Sequence, residues 1–201
     1  MADGPWLVAG LGNPGDRYAR TRHNSGAMVV QRLADRLGVR LKKVRFLSLF
    51  AAEARHGGSQ LLLVAPGTFM NECGPPIASF ARKRGVPVER IIACHDEIDL
   101  PFGALRIKRG GSTAGHHGLD SLVQALRSPG FHRVRIGIGR PVGRWENVDY
   151  VLGPFTKREQ DEADVLIEEA ADAVLSLAAD GLEAAQSRHN RSGPPTAPGR
   201  S

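Results

Sequence analysis

Four polar segments of the sequence carry side chains that could act on an ester or amide bond. They cover residues 12–15, 21–26, 66–71 and 95–101. The first, third and fourth follow apolar runs that are typical of strands. Because binding sites in α/β sheets form beyond the carboxyl ends of strands, we expect these three segments to converge.

His23 and Asp96 are the candidates for a general base and its supporting acid. An imidazole titrates near neutral pH, with a reference pKa of about 6.5, and can take a proton from water. A carboxylate at the end of a buried strand would fix its tautomer and stabilise its charged form. Asn13 and Asn71 could donate to a carbonyl and its developing oxyanion. Since no serine stands in a G-x-S-x-G elbow, the pattern favours direct attack by water.

Each of these residues also has a simpler interpretation. A single histidine in a loop, such as His23, is usually a surface residue. Asn13 precedes a proline and could belong to a turn, and Asn71 could cap a helix. The acidic residues near Asp96 could form a solvated patch. They could also suggest a metal, but no second cluster of ligands supports one.

The adjacent histidines 116 and 117 stand where a helix begins. Neighbouring residues on a helix point in different directions, so we do not expect His116 and His117 to act as a pair.

Gly10, Gly12 and Gly15 have the G-x-G-x-x-G spacing of a dinucleotide-binding loop. That loop requires a helix that opens within the glycine run. Residues 16–24 are polar and have no apolar stripe, and Asp35, the nearest acid by spacing, lies inside the next predicted helix. The pattern therefore indicates a site loop and not a dinucleotide cradle.

The remaining sequence predicts the elements that must position these loops. Strands are predicted over 6–11, 46–56, 60–66, 90–94, 103–109 and 134–138. Helices are predicted over 25–37, 75–85, 116–127, 156–180 and 182–189, the fourth opening with a Thr156–Glu159 capping box. This alternation predicts an α/β fold: a single domain over 1–190, with a twisted mixed β-sheet and helices on both faces. Residues 191–201 are rich in Pro, Gly, Ser and Arg and are expected to be disordered.

Composition narrows the functional class. The chain has 201 residues, of which 41% are hydrophobic and 24% charged, and no apolar run approaches the roughly 18 residues of a membrane span. Cys73 and Cys94 form no C-x-x-C pair, and the N-terminus has no signal pattern, so we expect a reducing, cytoplasmic location. The net charge of +6 favours polyanionic partners.

Seven features occur together in a recognisable order: GLGNPG, Tyr18, TRHNSG, PGTFMN, HDEIDLP, GHHGLDSL and FHRVRIGIGRP. Over residues 6–190 the chain resembles the bacterial peptidyl-tRNA hydrolases. The resemblance implies a monomeric esterase that cleaves the bond between a peptide and the terminal ribose of tRNA, which frees the tRNA for reuse. It implies no metal, no cofactor, no membrane and no obligate protein partner.

The resemblance also implies roles for particular residues. His23 matches the catalytic base and Asp96 the acid that supports it. Asn13 matches a residue that distinguishes N-blocked from free aminoacyl groups, and Asn71 matches the amide that grips the peptide near the scissile carbonyl.

The implied binding residues lie further along the chain. Tyr18 and Phe69 match residues that line the site of the acceptor end. Lys108 and Arg133 match basic residues that clamp the 5′-phosphate region, and the glycine-rich loop 110–115 would meet the acceptor stem.

The chain departs from the family pattern at two positions. His117 stands where the family usually has an asparagine that positions substrate and water, and Cys73 replaces a serine. A neutral imidazole has one donor and is bulkier than the amide. Because His23, Asp96, Asn13 and Asn71 are all present, we expect the enzyme. The alternative is a catalytically impaired RNA-binding paralogue.

Overall fold

Strands and helices alternate along the chain, and a computed structural model describes residues 4–141, 143 and 146–191. The strands are β1 (Trp6–Gly10), β2 (Lys42–Lys43), β3 (Leu49–His56), β4 (Ser59–Pro66), β5 (Ile91–Glu97), β6 (Leu105–Arg109) and β7 (His132–Gly137). The helices are α1 (Ser25–Arg36), α2 (Gly74–Lys83), α3 (His117–Leu126), α4 (Asn147–Leu152), α5 (Gln160–Asp180) and α6 (Leu182–His189). Short 3-10 turns lie at Asp16–Tyr18, Arg22–Asn24, Met70–Glu72 and Val88–Arg90.

The seven strands of the described residues form one mixed sheet in the order β2-β3-β4-β1-β5-β7-β6. The central strands β4, β1, β5 and β7 are parallel, and the outer strands join antiparallel. The carboxyl ends of β1, β4 and β5 therefore meet at one edge. The loops that follow Gly10, Pro66 and Glu97 leave the sheet side by side, as predicted.

Helices cover both faces of the sheet and bury two apolar cores. On one face, α1, α5 and α6 pack over a core that includes Val8, Ile92 and Val134. On the other face, α2 and α3 pack over a core that includes Leu62 and Ile91. The predicted fold class is confirmed.

The fold differs from the prediction at two places that matter for the site. β5 continues to Glu97 instead of ending at residue 94, because its pairing with β7 extends to Glu97 opposite Gly137. Asp96 is therefore held in a strand. The short helix α4 was not predicted, although Val148, Val151 and Leu152 have the spacing of one helical face.

The Thr156–Glu159 capping box is only half formed. The backbone N–H of Thr156 donates to Oε2 of Glu159 at 2.7 Å, but the Thr156 side chain caps no helix and α5 begins at Gln160. The Glu159 carboxylate also accepts a hydrogen bond from Arg22, so it serves a contact outside the helix.

The first residue of the predicted tail is paired with the sheet. Arg191, expected in the tail, exchanges two backbone hydrogen bonds with Leu105 on β6 at 3.0 and 3.3 Å. Residues 192–201, the rest of the predicted tail, lie outside the described residues. Among the helices described, none is long and apolar enough to cross a membrane.

Candidate active site

The N-terminal end of α1 packs against β1 and β5 at very short range. A Cβ added to Gly26 would lie 2.0 Å from the carbonyl oxygen of Cys94, and one added to Gly10 would lie 2.5 Å from that of Gly26. Glycine at both positions therefore lets the backbones touch. The contact brings the turn Arg22–Asn24, which directly precedes α1, to the carboxyl end of β5.

This packing accounts for the glycine pattern without a nucleotide. Gly10 serves the contact with α1, and Gly12 faces Ala27 so closely that a Cβ would lie 2.8 Å from its methyl group. A 3-10 turn at Asp16–Tyr18 follows Gly15, where a dinucleotide loop would open an α-helix.

His23 and Asp96, 73 residues apart in the chain, form a buried hydrogen-bonded pair. Nδ1 of His23 lies 2.9 Å from Oδ1 and 3.1 Å from Oδ2 of Asp96. Because an ionised carboxylate only accepts, the imidazole carries its proton on Nδ1. Nε2 is then the nitrogen available to take a proton.

His116 is a second imidazole on the same carboxylate. Its Nδ1 accepts from the backbone N–H groups of Gly118 and Leu119 at 3.2 and 3.3 Å, which makes it the N-cap of α3. The ring proton therefore lies on Nε2, which donates to Oδ1 of Asp96 at 3.0 Å. One carboxylate thus joins the turn before α1 to the start of α3.

Asp96 stays ionised in spite of its burial. Burial by itself would raise the pKa of this carboxyl, but its electrostatic interaction and hydrogen bond with His116, followed by those with His23, hold the pKa well below its usual value. A permanent negative charge at this point stabilises a proton gained by His23.

His95 lies beside this pair but is not part of it. Its Nδ1 donates to the backbone carbonyl of Asp96 at 2.7 Å, and its buried Nε2 makes no hydrogen bond with the described residues. Burial, followed by the electrostatic interaction with His116, lowers the pKa of His95 well below its ordinary value. The ring is therefore neutral at physiological pH.

Asn13 is fixed by bonds on both its backbone and its side chain. Its Oδ1 accepts from the backbone N–H of Met70 at 2.8 Å, and the Asn24 amide bonds both backbone groups of Asn13 at 2.9 Å. These bonds leave Nδ2 as a donor toward the cavity that Asn13 lines. Asn71, in the turn Met70–Glu72, is exposed at the rim of the same cavity.

These groups line a cavity of about 620 Å³. Its polar wall carries His23, Asp96, Asn13 and Asn71. An apolar part of its lining comes from α4, through Val148, Val151 and Leu152. The predicted convergence of the site segments is present, and the site adds an apolar surface on which an acyl group could pack.

A metal ion would have three side chains available here. His23, Asp96 and His116 each offer a ligand atom, all within 4.8 Å of one another, and they form the only group of this kind found among the described residues. Hydrogen bonds account for the arrangement without a metal, because each histidine directs an N–H toward the carboxylate.

Comparison with known proteins assigns the fold and site to a family. The family model described as peptidyl-tRNA hydrolase matches residues 7–196. The peptidyl-tRNA hydrolase of Frankia casuarinae is 52% identical over 188 residues, covering 94% of this chain and 95% of its own. That of Nocardia farcinica is 49% identical over 185 residues, covering 92% and 96%.

A solved structure agrees with these relatives. The crystal structure of the peptidyl-tRNA hydrolase from Acinetobacter baumannii superposes with a TM-score of 0.87 at 35% identity, covering 94% of this chain and 96% of that one. The chain belongs to the peptidyl-tRNA hydrolase family. The resemblance drawn from the ordered motifs is confirmed.

Three residues that the family resemblance places in substrate binding also line the cavity: Tyr18, Phe69 and His117. The rings of Tyr18 and Phe69 meet edge to face with centroids 6.3 Å apart, and Phe69 is largely exposed. His117, the first residue of α3, is exposed, while its neighbour His116 turns inward to Asp96.

Arg133, which was expected to contact phosphate, is bonded within the protein. It is only 1% exposed, and its guanidinium donates to the carbonyls of Ser112 and Gly111 at 2.7 Å each. It therefore supports the glycine-rich loop from inside. Lys108, the other residue expected at phosphate, is partly exposed beside this loop.

Arg135 is a basic residue that the sequence reasoning did not assign to the family's phosphate site. It points to the same face of β7 as Arg133 and holds Oε2 of Glu97 through Nε and Nη2 at 3.1 and 3.0 Å. Burial, followed by the charges of Arg135 and Arg133, lowers the pKa of Lys108. Three cations therefore surround one carboxylate, an arrangement that favours a bound anion.

His116 is the other functional residue that the sequence reasoning missed. The argument that adjacent helical residues diverge is correct for 116 and 117, but it left His116 without a role, while the family resemblance gave one to His117. A histidine directly before a predicted helix start was the available signal, since its side chain can cap the helix and still reach a neighbouring element through the second nitrogen.

Proposed function

We propose that the protein hydrolyses the ester between a peptide and tRNA by using His23 to deprotonate water. The observation that supports this most strongly is the His23–Asp96 pair, joined at 2.9 Å on the wall of a cavity of about 620 Å³. This reaction requires a base with a fixed tautomer, a buried counter-charge and an opening large enough for the substrate.

The reaction follows from the positions of these groups. Nε2 of His23 takes a proton from water, and the resulting hydroxide attacks the ester carbonyl. Asp96 stabilises the imidazolium, and Nδ2 of Asn13 with the Asn71 amide donate to the oxyanion and the neighbouring peptide carbonyl. When the carbonyl re-forms, the imidazolium returns its proton to the departing ribose oxygen. The products are a peptide acid and free tRNA, and no cofactor is consumed.

The two ends of the substrate are proposed to occupy different surfaces. The acyl group packs on the α4 wall, and the terminal adenosine meets Tyr18, Phe69 and His117. Phosphates of the acceptor stem approach Lys108 and Arg135, while Arg133 keeps loop 110–115 in place. We propose that the protein acts as a monomer in the cytoplasm. Light scattering of the free protein would test the monomeric state.

The test of the reaction is release of the acyl group from N-acetyl-aminoacyl-tRNA. We expect turnover without added metal or nucleotide, unchanged by a chelator, and a loss of about 10³-fold in His23→Ala. His56→Ala, at an exposed histidine that ends β3, is the matched control and should keep full activity. Tight tRNA binding without turnover would instead identify an RNA-binding paralogue, and loss of activity with the chelator would assign a metal to His23, Asp96 and His116.

The proposed phosphate site can be tested through the salt dependence of tRNA binding. Lys108→Ala should make the slope of log affinity against log salt shallower by about one unit, because one phosphate contact is lost. Lys42→Ala, on the opposite edge of the sheet, should leave the slope unchanged. A slope that changes only in Lys42→Ala would place the RNA on the wrong edge for this proposal.

A further inference from the structure

The side chain of Arg22, which directly precedes His23, does not line the catalytic cavity but contacts the carboxyl end of α4 and the segment that follows it. Its Nη1 donates to the carbonyl of Pro154 at 2.6 Å and lies 3.4 and 3.5 Å from those of Gly153 and Tyr150. Its Nη2 donates to Oε2 of Glu159 at 2.7 Å. We call this group of contacts the Arg22 latch.

The backbone of the same turn reinforces the latch. The N–H of Arg22 donates to the carbonyl of Gly153 at 3.0 Å, and Thr21 forms an isolated antiparallel bridge with Pro154. Thr21 and Arg22 are therefore both bonded to the segment that follows α4, and His23 is the next residue in the chain.

The Arg22 latch is largely shielded from water and lies against two aromatic rings. The Arg22 side chain is 6% exposed and that of Glu159 25% exposed. The guanidinium carbon lies 4.2 Å from the ring centre of Tyr150 and 5.3 Å from that of Phe155. Charge-assisted hydrogen bonds and cation–π contacts both gain when water is excluded.

Helix α4 is held by a small number of contacts. It is six residues long and contains no fully buried residue, and Val148 is 61% exposed. Tyr150 and Val151 pack against a small apolar cluster that includes Ile138 and Phe155, and the Tyr150 hydroxyl donates to the carbonyl of Ile138 at 2.7 Å. The latch adds a polar attachment at the carboxyl end of α4, and this attachment joins the apolar wall to the turn that carries the catalytic base.

We propose that Arg22 is a positioning residue that sets the distance between the α4 wall and the catalytic base, and so determines how strongly apolar acyl groups are bound. This inference rests on the proposed hydrolysis of peptidyl-tRNA. Arg22 itself does not touch the substrate. Its effect reaches the acyl group through Val148, Val151 and Leu152, which line the cavity.

The kinetic test compares two substrates that differ only in the acyl group: N-acetyl-phenylalanyl-tRNA and N-acetyl-glycyl-tRNA. Arg22→Lys keeps the charge but cannot span several carbonyls and a carboxylate at once. We expect it to raise KM for the phenylalanyl substrate about tenfold and for the glycyl substrate less than threefold, with kcat changed less than twofold. Glu159→Gln should change KM in the same direction by a smaller factor.

Arg20→Lys is the matched control, because Arg20 lies two residues earlier and its contact within the described part of the chain is an exposed pair with Asp164 at 4.0 Å. We expect no change in either constant. An equal loss of kcat for both substrates in Arg22→Lys, or no preference between them, would overturn the proposal, since a purely structural role would not discriminate acyl groups.

Hydrogen exchange supplies a readout that needs no catalysis. Amides of residues 147–153 should exchange faster in Arg22→Lys and Glu159→Gln, while those of α1 keep their protection. If the wild-type protein has no turnover but exchange responds, the proposed function fails and the contact role of the latch stands. If turnover is present but neither exchange nor the substrate preference changes, the latch proposal alone is wrong.

Discussion

The two halves of β5 are equally buried but differ in chemistry. The amino half, Ile91 to Cys94, is apolar and contributes to both cores of the protein. The carboxyl half, His95 to Glu97, is polar: the side chains of Asp96 and Glu97 bond to other elements, and His95 bonds to the backbone of its own strand. One strand therefore carries the centre of the fold and the centre of the site.

The two halves of β5 contribute to different properties, the amino half mainly to stability and the carboxyl half mainly to function. In the apolar half, free energy comes from area removed from water and close packing, which many side chains can provide. In the polar half, each buried group costs free energy unless a particular partner satisfies it, so identity matters more than volume. Substitutions in the carboxyl half should change activity more than folding, and substitutions in the amino half should do the reverse.

The largest effect is expected at Asp96. In Asp96→Asn the side chain is neutral and no longer accepts from both His23 and His116, so the base loses its fixed tautomer and its counter-charge. We expect kcat/KM to fall about 10³-fold, measured in single turnovers. Asp99→Asn, at an exposed aspartate paired with Arg140, is the control and should retain activity. A loss below tenfold in Asp96→Asn would mean that the polar half of β5 is not the centre of the chemistry.

The opposite half should respond in stability. Ile92→Ala removes a fully buried side chain from the core under α1 and α5, and we expect the free energy of unfolding to fall by about 2–5 kcal/mol. Urea denaturation measures this change. At a temperature where the variant remains folded, kcat should lie within twofold of the wild type. A large loss of kcat in the folded variant would show that the two halves are not separable.

The sequence was sufficient to predict much of this organisation. Period and turn signals identified five of the six helices and the mixed sheet, because long amphipathic segments report directly on burial. The His23–Asp96 pair was predicted because a histidine base needs a supporting carboxylate and Asp96 stands at the end of a buried strand, and the family resemblance implied the same two roles.

The parts that could not be predicted depend on tertiary distance. Arg133 is buried because loop 110–115 folds over it. The sequence pattern does not distinguish Arg133 from Arg135, because both are arginines on the same face of β7. The Arg22 latch joins positions 137 residues apart through one carboxylate, and no local pattern records such a contact. His116 acts through two nitrogens on two elements, which sequence spacing cannot reveal.

A smaller effect at His116 would show how the polar half of β5 is connected to α3. His116→Asn keeps an oxygen acceptor for the helix cap but loses the bond to Asp96, whereas His116→Ala loses both. We expect both variants to lose about tenfold in kcat/KM. Only the alanine variant should lose an additional 1 kcal/mol or so of stability, seen in thermal unfolding. Equal stabilities of the two variants would mean that the helix cap does not contribute to stability. Equal activities of variant and wild type would mean that the bond to Asp96 does not contribute to catalysis.

The smallest effect concerns His95, which is as buried as the isoleucines but can titrate. Its pKa is lowered in the folded protein, first by burial and then by His116, whereas in the unfolded chain it takes a proton near pH 6.5. The unfolded state therefore binds more protons below about pH 6.5, and stability falls as the pH falls, by about 1.4 kcal/mol per pH unit for this one group. Above that pH its contribution is complete.

The variant His95→Asn isolates this contribution. Its amide nitrogen can replace Nδ1 in the bond to the carbonyl of Asp96, while the titrating ring is lost. His132 and His189 also have lowered pKa values, with burial as the first cause, but they titrate in both proteins and cancel in the difference. The packing defect adds an offset that does not depend on pH. Between pH 7.5 and 5 the free energies of unfolding of the two proteins should therefore converge. Curves that stay parallel would mean that His95 is protonated in the folded protein. The polar half of β5 would then tolerate charge more readily than its burial implies.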